Sequence, residues 1–111
     1  MGVDLYMRET SCETCGHQRE GFSINYTYNV SPMWYKVYPG DKEMVQIDGM
    51  IGKKAYKKLL YALKYMEAHK DEMIALEPPN GWGSYHGFLE FINACIEASL
   101  EHPKSVWEAW R

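Results

Sequence analysis

Phe22-Ser23-Ile24-Asn25-Tyr26-Thr27-Tyr28-Asn29-Val30 alternates apolar or aromatic side chains with small polar ones at period two. That is the pattern of a strand with one buried and one polar face. Phe22, Ile24, Tyr26, Tyr28 and Val30 share the core side, and Ser23, Asn25, Thr27 and Asn29 share the other. A similar run precedes it, in which Val3, Leu5 and Met7 alternate with Asp4, Tyr6 and Arg8, and the turn-forming stretch Ser11 to Gly16 lies between the two. Together they predict an N-terminal β-hairpin. Pro32 is expected to end the second strand, because it has no N–H for the ladder and biases Ser31 toward extended geometry.

Beyond the hairpin the period changes. Residues 33 to 52 carry no clear pattern apart from a turn at Pro39-Gly40-Asp41 and a break between Gly49 and Gly52. From Lys53 to about His69, Tyr56, Leu59, Leu60, Leu63 and Met66 recur at spacings of three and four, which predicts an amphipathic helix. Lys70 to Leu76 adds a further helical turn or two before the stop Glu77-Pro78-Pro79. A last helix is expected from Ser84, whose hydroxyl can cap free backbone donors, to about Glu101, with Phe88, Phe91, Ile92, Cys95, Ile96 and Ser99 on its buried side. Ser105 to Arg111 reads as a third strand returning to the hairpin edge. The expected fold is α+β: a small antiparallel sheet, hairpin plus C-terminal strand, packed against two main helices in a single compact domain spanning residues 1–111.

Composition narrows the function classes. With 46% hydrophobic residues in 111, one core is affordable and a second domain is not. The net charge of -3 provides no overall field for a polyanion, which argues against nucleic acid as a partner. No apolar run spans a bilayer and the N-terminus has no signal-peptide pattern, so a cytoplasmic location is expected. Three cysteines, two of them in one Cys-x-x-Cys, suit a reducing compartment better than a disulfide framework.

Cys12-Glu13-Thr14-Cys15-Gly16-His17 reads as half of a zinc knuckle, with Cys12, Cys15 and His17 as ligands. The ligand set is incomplete. The fourth place would fall to His69, His86, His102, Cys95, a water or a neighbouring chain, and the other reading is a tight hairpin with two free thiols. A homodimer sharing a metal across a two-fold axis would complete the set.

Asn25, Thr27 and Asn29 put amides on a strand face where asparagine is disfavoured, and Asn80-Gly81-Trp82-Gly83-Ser84-Tyr85 again mixes amide, glycine and aromatic side chains. Amides read planar, hydrogen-bonding ligands, and Trp34, Trp82 or Tyr85 can stack on a ring. Ligand-binding candidates are therefore Asn25, Thr27, Asn29, Trp34, Asn80, Trp82 and Tyr85. The same segments also read as a solvent-facing strand and a helix-start loop. Lys53, Lys54, Lys57, Lys58 and Lys64 form the polar side of the first long helix; Lys53 and Lys54, at its start, are weak phosphate candidates, and a solvated helix face is the other reading. No nucleophile elbow, phosphate-cradling loop or zinc-protease motif is present, which points away from an enzyme.

Cys12-x-x-Cys15-Gly16, Asn25-x-Thr27-x-Asn29-Val30-x-Pro32-Met33 and Asn80-Gly81-Trp82-Gly83-x-Tyr85 resemble small uncharacterised proteins encoded by bacteriophages and prophages. The resemblance covers nearly the whole chain in order and implies a non-enzymatic accessory protein acting in the cytoplasm of a bacterial host. Its expected role is anti-defence ligand binding, the sequestration of a nucleotide-like small molecule. The alternative is an interaction module that inhibits a host or defence enzyme through an exposed aromatic surface around Met33, Trp34, Tyr35, Tyr38, Trp107 and Trp110.

Overall fold

The computed structural model describes residues 2–8, 20–81 and 83–111, with the side chains of Arg8 and of residues 20–22 outside the description. The expected turn at Ser11 to Gly16, the ligands Cys12, Cys15 and His17, and Trp82 lie outside the described residues.

Strand β1 (Gly2–Arg8) is central. β2 (Glu20–Thr27) pairs with one side of it and β3 (Val106–Trp110) with the other, both antiparallel, in the order β2-β1-β3. Directly opposed residues share a face. Val3 lies opposite Tyr26, Leu5 opposite Ile24 and Ala109, and Met7 opposite Trp107; Val3, Leu5, Met7 and Trp107 are fully buried. Asp4, Tyr6, Ser23, Asn25, Glu108 and Trp110 occupy the outer face by the same alternation. The outer edge of β3 is covered by residues 49–51: Gly49 N–H donates to Trp107 O at 2.8 Å, Trp107 N–H donates to Met50 O at 2.9 Å, and Ile51 bridges to Val106. Such cover protects an edge from pairing with another chain.

Two long helices line the inner face, α2 (Gly52–Ala68) on the β3 side and α4 (Tyr85–Glu101) on the β2 side, packed against each other. The buried line of α2 is Gly52, Ala55, Leu59, Ala62 and Met66, with Tyr56, Leu60 and Leu63 only half-buried beside it. Small residues hold this seam because α4 approaches closely. A Cβ at Gly52 would strike the His102 carbonyl and come within 2.8 Å of Ser99 O. Every expected buried residue of α4, from Phe88 to Ser99, is in the core, and Ser99 Oγ there accepts a 3.0 Å bond from Trp107 Nε1. Cys95 is fully buried in the same core, which pushes its thiol well above the ordinary range.

The hairpin's second strand is shorter than its alternation predicts. It stops at Thr27, whose Oγ1 accepts a 3.3 Å bond from Asn29 N–H; Tyr28–Val30 coil into a 3-10 turn that leads directly into α1 (Ser31–Val37). A Thr side chain bonding its own downstream backbone competes with the ladder, so Tyr28, Asn29 and Val30 leave the sheet. Pro32 does not terminate the strand. It sits in the first turn of α1, where the missing N–H has no helical partner to lose. After α2 the chain breaks at His69, and α3 (Lys70–Ile74) buries Met73 before the Pro78-Pro79 stop.

Residues 38 to 50, patternless in sequence, are held by charged and carbonyl contacts. Asp41 Oδ2 accepts from Trp34 Nε1 at 3.0 Å and from Lys58 Nζ at 2.8 Å, and Lys58 also lies 5.0 Å from the Tyr38 ring centre. Arg111 Nη2 donates to the carbonyls of Met44 (3.0 Å) and Val45 (3.2 Å), while Nη1 pairs with Asp48. The grip falls on a strained point, since Val45 has φ 52, a left-handed conformation costly for a β-branched residue.

Candidate functional site

The two amide-rich segments, more than fifty residues apart in sequence, meet at one end of the sheet. Tyr26 joins them: its hydroxyl accepts from Ser84 N–H at 3.1 Å and donates to Ser84 O at 3.4 Å, while its ring stacks on Phe88 and Phe91. Ser84 in turn caps α4, its Oγ accepting from Gly87 N–H at 3.0 Å. The loop before the cap packs tightly on the strand end. Gly83, at φ 101, lies so close that a Cβ would come within 2.6 Å of Thr27 Cγ2 and 2.8 Å of Val30 Cγ1. Gly81 is also in the positive region, at φ 75, so both glycines are required by backbone conformation.

Between strand end and loop lies an open groove of about 970 Å³, at the upper end of the size range of small-molecule sites. Asn25, Thr27, Asn29 and Asn80 line it, together with Gly2, Asp4 and Tyr26 from the sheet and Gly81, Gly83 and Ser84 from the loop. A second hollow of about 530 Å³ continues over the outer face of the sheet along Asp4, Tyr6, Ser23, Ile24 and Asn25. Asp4 and Asn25 belong to both. They stand opposite each other across β1 and β2, and neither side chain has a hydrogen-bonding partner among the described residues.

Four of the seven expected ligand-binding residues, Asn25, Thr27, Asn29 and Asn80, are thus brought to one place. Two others are scaffold. Trp34 is fully buried on α1 with its indole N–H bound to Asp41, and offers no ring face to a ligand. Tyr85 is 2% exposed; its hydroxyl donates to Met66 O at 3.1 Å, and burial raises its pKa above the usual phenol value. Trp82, between two groove glycines, lies outside the described residues.

Lys53 and Lys54 do not join the groove. Gly52, beside them, abuts His102 at the C-terminal end of α4, whereas the groove adjoins the N-terminal end of that 17-residue helix, about 25 Å away. The backbone donors at the start of α2 are already engaged: Gly52 N–H goes to Ser105 O, Lys53 N–H to Pro103 O, and those of Lys54 and Ala55 to Ile51 O. A phosphate there would find only side-chain charge.

The expected aromatic interaction surface is not assembled either. Met33, Trp34 and Trp107 are fully buried, Tyr35 and Tyr38 are half-buried and tied to Lys42 O and Lys58 O, and Trp110 alone of the six is exposed, at 63%. Among the described residues no group of His, Cys, Asp and Glu is arranged to hold a metal, and no helix is long and apolar enough to cross a membrane.

Of the sheet residues lining the groove that sequence reading passed over, Gly2, Asp4 and Tyr26, Asp4 is the one that carries a charge. Its signal was its place opposite Asn25, which depends on the hairpin register and so on the turn between the strands. Comparison of the chain with protein-family models, with curated proteins and with solved structures finds no match.

Proposed function

We propose that the chain is a non-enzymatic binding protein, a bacteriophage or prophage accessory factor that sequesters a nucleotide-like small molecule in its bacterial host. The observation that carries this reading is the meeting of Asn25, Thr27 and Asn29 with Asn80, Gly81, Gly83 and Ser84 around one groove. Its lining is amide, hydroxyl, backbone and one carboxylate, groups that recognise by hydrogen bonding. The described lining residues include no cation. The part of the ligand held is therefore the base and sugar, with any phosphate left toward solvent.

Native mass spectrometry of the protein as purified from bacteria, followed by calorimetric titration with nucleosides and nucleoside monophosphates, tests the reading. A bound species of nucleoside-like mass, lost from Asn25→Ala and Asn29→Ala at unchanged melting temperature, is the expected result, because both side chains are exposed and neither supports the core. Binding that survives both substitutions would place the ligand elsewhere. No binding to any nucleoside or nucleotide would overturn sequestration of this ligand class.

A further inference from the structure

Across the outer face of the sheet one row of residues runs from β3 to β2: Trp110, Asp4 and Asn25, each opposite the next. Adjacent strands are about 4.8 Å apart, so the carboxylate and the amide stand side by side within reach of one planar group. Both lie where the groove runs into the outer hollow. Both also lack a partner of their own among the described residues.

Donor and acceptor types make this pair selective. An ionised carboxylate only accepts, so Asp4 calls for two adjacent donors on its ligand; Asn25 supplies a donor beside it. A guanine edge presents that sequence, with N2–H and N1–H as neighbouring donors followed by the O6 acceptor. Adenine offers N6–H beside an unprotonated N1, whose lone pair would face the carboxylate. Cytosine likewise sets an acceptor N3 beside its amino group, and uracil has one donor between two acceptors. Resting on the reading of the groove as a ligand site, we infer that it selects a guanine base, with Asp4 accepting from N1–H and N2–H and Asn25 donating to O6. Exposed Trp110 closes the row with an aromatic surface beside the two polar groups.

Calorimetric titration of the full chain with guanosine, inosine, adenosine, guanosine monophosphate and methylguanidine tests this. Guanosine is expected to bind at least about tenfold more tightly than adenosine, with inosine, which lacks the 2-amino donor, between them. Asp4→Asn should remove most of that preference while the melting temperature stays within a degree or two, the side chain being on the sheet surface. Guanosine monophosphate should match guanosine, the described lining residues offering no cation for its phosphate. Equal affinity for guanosine and adenosine, or an Asp4→Asn variant that keeps the preference, would overturn the guanine assignment and leave the groove as a general nucleoside site. Methylguanidine binding as tightly as guanosine would also overturn it, in favour of a guanidinium site. Failure of every nucleoside to bind would remove both the assignment and the proposed function.

Discussion

The Tyr26 hydroxyl and the Ser84 backbone form a two-point contact, N–H to oxygen at 3.1 Å and hydroxyl to carbonyl at 3.4 Å, that pins the end of β2 to the first turn of α4. One residue thus joins the sheet, the helix cap and the groove wall.

Tyr26→Phe keeps the ring stacked on Phe88 and Phe91 but leaves the Ser84 N–H without its partner. A loss of about 1–2 kcal/mol is expected in urea unfolding, at unchanged slope. Gly87→Ala should cost a comparable amount or more, because its Cβ would collide with the Tyr26 hydroxyl. In the double variant the two losses should add to less than their sum, since removing the hydroxyl relieves the clash. Full additivity would mean the contact at Tyr26 is not what excludes a side chain at position 87.

Trp34→Ala is expected to destabilise the fold by about 3–5 kcal/mol, the range for truncating a buried aromatic, and to strip Asp41 of one of its two donors. Trp110→Ala should change stability by less than about 1 kcal/mol, its ring being 63% exposed. Chemical denaturation separates the two; similar small losses would show that Trp34 is not core.

Alkaline titration should weaken the fold between pH 10 and 12. Burial, reinforced by the bond to Tyr28, raises the Tyr35 hydroxyl to about 12, and burial with the neighbouring Tyr61 and Asp41 raises Tyr38 likewise. A pKa raised on folding means the native state holds its proton more tightly. The stabilisation is complete below the unfolded value near 10 and is lost as pH rises through 12. Tyr38→Phe and Tyr35→Phe should each flatten the loss, measured as urea midpoints against pH; an unchanged slope in both would show that neither hydroxyl carries the alkaline transition.

The zinc-knuckle reading of Cys12, Cys15 and His17 predicts that elemental analysis of protein purified without chelator finds zinc and that Cys12→Ser abolishes it. A shared site predicts one zinc per two chains together with a dimer by light scattering. Metal-free protein with two titratable thiols at positions 12 and 15 would establish the free-thiol hairpin instead.

Sequence legibility followed the range of the interactions. The α4 helix, with its Ser84 cap and its buried side, was readable because periodicity and capping are set within a few residues. The faces of β1 and β2 were readable for the same reason, up to Thr27. There a side-chain bond to Asn29 N–H diverted the chain into α1, and alternation alone gives no sign of such a local competitor. The α1 helix went unread because its apolar set, Met33, Trp34 and Val37, is short and lies among aromatics that suit a surface equally well.

By itself, then, the chain's pattern determined the α+β class, the three strands, the two long helices and the polar character of the segments at 25–29 and 80–85. What the tertiary structure decided was which of those polar and aromatic residues face one another. It sent Trp34 and Tyr85 inward to bond Asp41 and Met66, carried Lys53 and Lys54 to the far end of α4, and set Asp4 opposite Asn25 beside Gly81, Gly83 and Ser84. The physical reason is that periodicity reports only which side of an element is apolar. What covers that side, and which distant residue arrives beside a given amide, is settled by strand register, by helix packing at Gly52, by the loop packing at Gly83 against Thr27 and Val30, and by where the Tyr26 hydroxyl finds its partner.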